Sequence, residues 1–287
     1  MNNCSAALLI EESKMHSNSM KINKVGEFVY LTFPSFEQFE EIRHGFTTRH
    51  GGVSTGCLES MNLGFGRGDS KENILKNYEV ACSAMGLDYS RCVVSDQVHE
   101  DEIRIVDEQD CGKGLVFKKD YKGIDGLITD KPNVPLVTLY ADCVPLFFYD
   151  PVRKVIGTAH AGWRGTVRKI GSRMISKFVE VYGSKAEDIW VAIAPSIGPC
   201  CYEVDQVVKD EFMTMDLDVK PFIEEKSNGK YHIDLWGINR AILIDAGVLE
   251  GHISVTDLCT KCNKEEFFSH RGHNGKRGNM AAIISLN

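Results

Sequence analysis

Long hydrophobic runs, an excess of basic residues and a dense cysteine framework are all missing from this 287-residue sequence. Its longest apolar runs, such as 144–149, span about six residues, whereas a membrane-spanning helix needs about 20. The apolar segment 6–10 has no basic residues before it and is followed by Glu11 and Glu12, so it fails as a secretion signal. We therefore expect a cytoplasmic protein with no membrane span.

Charge and composition exclude further classes. The 33 Lys and Arg residues against 40 Asp and Glu residues give a net charge of −7, so the surface as a whole repels nucleic-acid backbones. Only 8 prolines accompany 26 glycines, and no biased tract suggests collagen or disorder. Ten cysteines in a chain of this length are too sparse for a disulfide-stapled mini-domain, so most are expected to be reduced core thiols.

The chain is expected to contain a loosely ordered lead-in and one domain. Residues 1–25 are polar and lack periodicity, whereas no linker or repeat divides residues 26–287. Apolar residues at steps of three and four predict a helix after Gly165, and Asp234 predicts the start of another helix. Strands are predicted at 136–140, 145–149, 155–159, 189–194 and 280–285. This pattern indicates a mixed α and β protein with more than one sheet.

Three residues that can bind metals follow or end predicted strands: His99, Cys143 and His160. Two imidazoles and one thiolate suit Zn²⁺ and would leave a fourth position for water or substrate. Their spacing matches no local zinc motif, so the residues alone favour the plainer interpretation of two hydrogen-bonded histidines and a buried thiol. The pair Cys259 and Cys262 has no second pair at zinc-finger spacing and cannot close a structural site by itself.

Three arginines stand beside glycines: Arg49, Arg164 and Arg271. A planar guanidinium in such a place can bind an anion through two parallel hydrogen bonds, although a plain surface role is the default for each. The glycine-rich run at 47–54 lacks the spacing of a P-loop or a dinucleotide fingerprint, so it is first of all a turn.

Nine motifs occur in an order that identifies a family. They are HGFTTRHGGVSTG at 44–56, MNLG at 61–64, QVHE at 97–100, DGLITD at 125–130, ADCVPL at 141–146, AHAGWRGT at 159–166, IAPSIGPCCYEV at 193–204, DLWGINRAIL at 234–243 and FFSHRG at 267–272. From about Gly26 to the end, the chain closely resembles the laccase-domain family, also called YfiH-like or multicopper polyphenol oxidoreductase proteins. Only residues 271–280 depart from the family pattern, because they replace its usual double arginine and compact Gly-Arg-Met.

The resemblance implies an α/β (α+β) fold: a single layered α/β/β/α sandwich with two mixed sheets between helical layers. It implies a Zn²⁺ ion held by His99, Cys143 and His160, with Arg49 and Arg271 around the same pocket to hold substrate or phosphate. Copper is less favoured, because a multicopper site needs more histidines than the nine in this chain can bring together.

The activity that the resemblance implies is phosphorolysis of adenosine, inosine and S-methyl-5′-thioadenosine, together with deamination of adenosine. Cys143, His160 and Asp142 are then the expected catalytic residues, and Arg49, Arg164 and Arg271 are expected to hold phosphate or substrate. Asp142 or Glu100 could move the proton in deamination. The expected partners are purine nucleosides and phosphate, with no nucleic acid and no membrane.

Three other functions stay open at this point. Some relatives are described as peptidoglycan editing factors, which suggests an amide hydrolase with Cys143 as nucleophile and His160 as base. The family name suggests a polyphenol oxidase. A non-enzymatic binding protein that uses the pocket as a sensor is the third alternative.

Overall fold

Two six-stranded sheets form the centre of the computed structural model, which describes residues 15–287. In spatial order, the first sheet contains β1 (Lys21–Val25), β2 (Phe28–Thr32), β3 (Ile42–Thr47), β15 (Met280–Leu286), β7 (Leu136–Tyr140) and β4 (Val93–Val94). The second contains β14 (Ile253–Val255), β10 (Trp190–Ile193), β8 (Val144–Asp150), β9 (Val155–Ala161), β6 (Gly126–Thr129) and β5 (Ile103–Ile105). A separate small sheet contains β11 (Glu203–Val204), β13 (Tyr231–Ile233) and β12 (Ile223–Glu225). Both large sheets are mixed, because β4 runs parallel to β7, and β10 runs parallel to β14.

Side-chain alternation along β8 shows how the layers are built. Phe147 and Tyr149 pack into the core between the two large sheets, whereas Leu146 and Phe148 pack into the core under the helices. Successive residues of a strand point to opposite faces, so a strand that is buried on both faces contributes side chains to two cores. The helices are α1 (Pro34–Glu37), α2 (Lys71–Ala84), α3 (Trp163–Val167), α4 (Ile170–Tyr182), α5 (Gln206–Met213) and α6 (Leu235–Asp245).

Helices cover the outer face of each large sheet. Ile74 of α2 packs with the first sheet, and Met174 of α4 and Ile238 of α6 pack with the second. The predicted α/β/β/α layering with mixed sheets is therefore confirmed. None of the helices within residues 15–287 is both long and apolar enough to span a bilayer.

The predicted strands and helices are present, with one helix divided in two. The Asp234 carboxylate accepts hydrogen bonds from the backbone N–H groups of Trp236 and Gly237, which confirms it as the cap of α6. The helix predicted after Gly165 is split into α3 and α4, because Lys169 takes a left-handed conformation with φ of 57°.

The boundary expected at residue 25 is corrected by the structure. Strand β1 pairs antiparallel with β2, and Ser17 and Ser19 donate hydrogen bonds to the Asp257 carboxylate. The edge strand β1 is polar and mostly exposed, so its residues carry no hydrophobic alternation by which to recognise it. Residues 1–14, which include the apolar segment 6–10, lie outside the described part of the chain.

Candidate metal site and adjoining cavities

The three predicted metal ligands meet at one point of the fold. His160 lies on β9, Cys143 directly precedes β8, and His99 lies in the loop between β4 and β5. Because β8 and β9 are antiparallel neighbours that pair Pro145 with His160, Cys143 is carried to the His160 end of the pair. The ligand atoms of the three side chains lie within 4.8 Å of one another. We call these residues the triad.

Asp125 fixes the orientation of the triad. Its fully buried carboxylate lies 2.7 Å from His160 Nδ1 and accepts hydrogen bonds from the backbone N–H groups of Val98, His99 and Glu100 at 3.0–3.1 Å. Burial would raise the pKa of Asp125, but the hydrogen bond and charge of His160 outweigh it and lower the pKa. One carboxylate thus orients an imidazole ligand and the loop that carries the other, an arrangement that recurs around protein metal ions.

A glycine keeps the space between the three ligands open. A Cβ atom at Gly162 would lie 3.1 Å from His99 Cδ2, 3.5 Å from Cys143 Sγ and 3.6 Å from His160 Cε1. Two nitrogen donors and one sulfur donor around an open space suit a tetrahedral Zn²⁺ ion with one free position. The residues present therefore fit the group that the resemblance implies.

Electrostatics favour the ligand form of Cys143. Burial would raise the pKa of its thiol, but the charge of His160 and hydrogen bonds from His160 and His99 outweigh burial and lower the pKa. Burial likewise would lower the pKa of His160, whereas the Cys143 thiolate and the Asp125 carboxylate raise it. A thiolate is the form in which cysteine binds metals and acts as a nucleophile.

Two of the six non-glycine residues with positive φ in the described part of the chain lie at the triad. His99 has φ of 65° and Asp142 has φ of 90°, both in the left-handed region that residues with a Cβ rarely adopt. Such conformations persist where the surrounding structure holds them, and they cluster at functional sites.

Two cavities open next to the triad and share part of its wall. The first, of about 730 Å³, and the second, of about 600 Å³, fall within the usual size of ligand pockets. We call the first the basic lobe, after its four lysines, and the second the aromatic lobe, after Trp163 and Tyr202. Further residues mix the two characters: Phe65, Phe117 and Tyr121 line the basic lobe, and Arg164, Lys230 and Arg271 line the aromatic lobe. The basic lobe is lined by Lys71, Lys118, Lys119 and Lys122, and the aromatic lobe by Trp163 and Tyr202. Both lobes are lined by His99, Ala141, Cys143, Arg67 and Arg277.

Arg277 is a buried cation without a carboxylate partner. It is 8% exposed, and it takes part in none of the ion pairs found within residues 15–287. Its Nη1 donates to the Gly278 carbonyl and to Asn279 Oδ1, while its Nε makes no hydrogen bond. Burial and repulsion from Arg67 lower the pKa of Arg277 to about 10, so it stays charged at neutral pH. A buried charge normally has a partner, and here an anion in the cavities would supply one.

Two of the three sequence-predicted arginines line the aromatic lobe. Arg164 lies 4.2 Å from the ring centroid of Trp163, and Arg271 lies 5.5 Å from that of Tyr202. Cation–π contact keeps both guanidinium groups against the aromatic wall.

The third predicted arginine, Arg49, lines neither lobe. Its guanidinium donates to the backbone carbonyls of Glu59 and Lys264 and lies 3.2 Å from His273 Nε2. The expectation that Arg49 lies around the pocket is therefore corrected: the structure uses its donors to join chain segments.

The two carboxylates expected near the triad differ in position. Asp142 is buried in the wall of the aromatic lobe, where it accepts hydrogen bonds from the Thr260 hydroxyl and the Arg271 backbone N–H, both at 2.7 Å. Glu100 lines neither lobe, and its exposed carboxylate lies 3.6 Å from Arg168.

Sequence reasoning missed Asp125, Arg67 and Arg277 as site residues. Asp125 had one local signal, an acidic residue directly before the buried strand β6, but nothing in the sequence identifies its partner. Arg277 lies in the segment 271–280 that departs from the family pattern, so no motif pointed to it.

Comparisons with known proteins agree with this architecture. The family model described as multi-copper polyphenol oxidoreductase laccase matches residues 43–287. The purine nucleoside phosphorylase YlmD of Bacillus subtilis (strain 168) is 39% identical over 248 residues, covering 86% of this chain and 89% of that protein. The crystal structure of the Bacillus licheniformis hypothetical protein YfiH matches with a TM-score of 0.88 and 36% identity, covering 94% of this chain and 100% of that chain. YlmD from Geobacillus stearothermophilus matches with a TM-score of 0.87 and 36% identity, covering 94% and 99%. The chain therefore belongs to the multi-copper polyphenol oxidoreductase laccase family, in which it resembles the YlmD-type purine nucleoside phosphorylases.

Proposed function

We propose that this protein is a Zn²⁺-dependent enzyme that cleaves adenosine, inosine and S-methyl-5′-thioadenosine with phosphate. The products are the purine base and ribose 1-phosphate or its methylthio derivative. The observation that carries the proposal is the buried, unpaired Arg277, which lies between the two lobes beside the triad and needs an anion. The names of the relatives support the same reaction.

The two lobes suggest where each substrate lies. The purine fits the aromatic lobe, where Trp163 and Tyr202 offer flat apolar surfaces. Phosphate fits the shared wall, where Arg67 and Arg277 offer charged donors. The lysines of the basic lobe raise the local concentration of phosphate around that point, although the whole chain is acidic.

The reaction itself requires only positioning and charge stabilisation. A phosphate oxygen forms a bond to C1′ of the ribose while the bond from C1′ to the purine nitrogen breaks. The electron pair of that bond leaves with the base, which takes up on a ring nitrogen the proton that hydrogen phosphate loses. Arg67 and Arg277 hold the phosphate against C1′. The attacking oxygen is therefore already close to C1′ and correctly oriented when the reaction begins.

His99, Cys143 and His160 would hold the metal, and Asp125 would keep His160 in the tautomer that donates through Nδ1. A bound Zn²⁺ supplies positive charge that stabilises negative charge on a substrate oxygen. Asp125 also fastens the His99 loop through backbone hydrogen bonds, so both imidazoles approach the metal position without rearrangement.

We include adenosine deamination as a second activity of the same pocket. Asp142 favours it, because this buried carboxylate lines the aromatic lobe directly beside Cys143 and could move a proton between water and the departing ammonia. Glu100 does not line the lobes, so we assign it no part.

A cysteine hydrolase is the competing function, and one contact favours it. Asp125, His160 and Cys143 follow one another in the order carboxylate, imidazole and thiol that activates a cysteine nucleophile. That mechanism has no use for His99 as a ligand. The variant His99→Ala should therefore abolish phosphorolysis but leave a hydrolase based on Cys143 active. A polyphenol oxidase is disfavoured, because His270 is the only further imidazole in the walls of the two lobes.

The direct test incubates metal-analysed protein with a panel of nucleosides, with and without phosphate, and separates the bases and sugars by chromatography. We expect adenine from adenosine only when phosphate is present, and inosine from adenosine without it. Release of base at the same rate without phosphate would contradict phosphorolysis and indicate hydrolysis.

A further inference from the structure

Four cysteines form a second cluster away from the triad. The sequence offers Cys259 and Cys262 as an isolated pair, but the fold brings the neighbouring residues Cys200 and Cys201 against them. The Sγ atom of Cys262 lies 3.5 Å from that of Cys200 and 3.4 Å from that of Cys201, and all four sulfur atoms lie within 4.8 Å of one another. We call these four residues the cysteine cluster.

Parallel strand pairing explains why the two cysteine pairs meet. Strands β10 and β14 are parallel neighbours in the second sheet, so their carboxyl ends lie side by side. The chain leaving β10 carries Cys200 and Cys201, and the chain leaving β14 carries Cys259 and Cys262. A bridge between Ser196 and Cys259 continues the pairing beyond both strands. The juxtaposition is thus part of the sheet architecture.

The distances between the sulfur atoms match a shared metal ion. Four sulfurs arranged as a tetrahedron at about 2.3 Å from a central Zn²⁺ are about 3.8 Å apart. The two separations from Cys262 Sγ, 3.4 and 3.5 Å, lie within about 0.4 Å of that value, and no sulfur atom of the set is more than 4.8 Å from another. The backbone N–H of Gly198 also donates to Cys259 Sγ at 3.2 Å, a contact that stabilises a thiolate.

We propose that the cysteine cluster is a second, structural metal site that binds one Zn²⁺ ion through four thiolates. Each cysteine loses its proton to solvent as its bond to zinc forms, and no electrons are exchanged. Four protein ligands fill the tetrahedron, so no position is left for water or substrate. Metals that prefer oxygen ligands are excluded by an all-sulfur donor set.

The proposed site lies where it can support the triad. Thr260, between Cys259 and Cys262, donates its hydroxyl to Asp142 Oδ1 at 2.7 Å, and Ile197 donates its backbone N–H to the Asp142 carbonyl at 2.9 Å. The two loops that would share the zinc therefore hold the strained turn that carries Cys143. We infer that zinc in the cysteine cluster keeps this turn in place.

The test is the metal content of the purified full chain, measured by elemental analysis. Wild type should contain two zinc equivalents, and both Cys143→Ala and Cys262→Ser should contain one. The matched control is Cys57→Ser, since Cys57 is an exposed thiol outside both clusters, and it should retain two. Cys262 is exposed, so its substitution disturbs the core less than a change at the buried Cys259.

A spectroscopic measurement covers the case in which a variant folds poorly. Wild-type protein with Co²⁺ in place of zinc should show sulfur-to-cobalt charge-transfer absorption from five thiolates. Cys143→Ala should keep most of this absorption, because four of the five belong to the cysteine cluster. The Tm of Cys262→Ser should fall by at least about 5 °C, which corresponds to a loss of a few kcal/mol in a chain of this size.

Three results would overturn the proposal: a single zinc equivalent in wild type that Cys262→Ser retains, two equivalents in Cys262→Ser, or a disulfide within the cysteine cluster of freshly purified protein. None of these measurements uses catalytic turnover. A failure of the proposed phosphorolysis would therefore leave this inference standing, and the reverse also holds.

Discussion

The triad and the cysteine cluster differ in the number of donors and in what surrounds them. The triad offers three donors beside two cavities, whereas the cysteine cluster offers four and takes no part in the walls of either lobe. Three protein ligands leave a coordination position for chemistry, and four close it. Similar side chains can therefore build a site for reaction or a site for stability, depending on whether the fold leaves the last position open.

The two clusters also differ in how their ligands are held. In the triad, the buried Asp125 carboxylate orients His160 and fastens the His99 loop. In the cysteine cluster, the backbone N–H of Gly198 contacts Cys259 Sγ directly. A side chain can be replaced by mutation while a backbone group cannot, so the support of the triad is the easier of the two to test.

The largest effect is expected from Cys143→Ala, which removes one triad ligand and leaves the cysteine cluster intact. Loss of a group that only orients a ligand costs about 10–100-fold in activity, so loss of a ligand should lower kcat/KM for inosine by more than 100-fold. Steady-state kinetics combined with zinc analysis checks this. Full activity after the loss of one zinc equivalent would show that catalysis does not need the metal of the triad.

Asp125→Asn should weaken zinc binding at the triad by about 10–100-fold and spare the cysteine cluster. The amide has one accepting oxygen in place of two, and its NH₂ group opposes the backbone donors around it. Competition with a chelator measures the affinity. Asp110→Asn is the matched control, because Asp110 is a buried carboxylate that pairs with Arg104 and Lys113. Equal losses in both variants would indicate a general effect of carboxylate removal.

Arg277→Gln should raise the KM for phosphate by about 10–100-fold, the equivalent of one lost hydrogen bond between charged groups. The KM for inosine should change much less, because the purine fits the aromatic lobe. Arg91→Gln serves as the control, since Arg91 binds the Asn133 carbonyl and lines neither lobe. An unchanged phosphate KM in Arg277→Gln would remove the central support for the proposed phosphate position.

The smallest effect on turnover is expected from Arg49→Lys. Arg49 donates to two backbone carbonyls outside both lobes, and lysine cannot reach both in the same geometry. The free energy of unfolding should fall by about 1 kcal/mol, with kcat/KM changed less than twofold. Urea denaturation and steady-state kinetics provide the two readouts. A selective loss of phosphorolysis would contradict this position and indicate that Arg49 binds phosphate.

Local patterns in the sequence predicted the strands and helices, and the family resemblance predicted the layers and the triad. Contacts between distant segments were not predicted by either. Strand β8 could be recognised because it is continuously apolar, and Asp234 because capping depends only on the residues that follow it. The cysteine cluster depends on the pairing of β10 with β14, which no local spacing reveals. Arg277 was not predicted for a similar reason. Its proposed role depends on burial without an ion-pair partner, and local sequence patterns do not reveal that burial.

The most direct measurement follows the oxygen that becomes attached to C1′ when inosine is cleaved in water labelled with ¹⁸O. Phosphorolysis takes that oxygen from phosphate, so the account predicts ribose 1-phosphate whose sugar carries no label from water. The yield should equal the hypoxanthine released, and it should depend on both the triad zinc and Arg277. Free ribose with ¹⁸O at C1′ would contradict the account, because water would then be the nucleophile. Arg67 and Arg277 would have no phosphate to bind in that reaction.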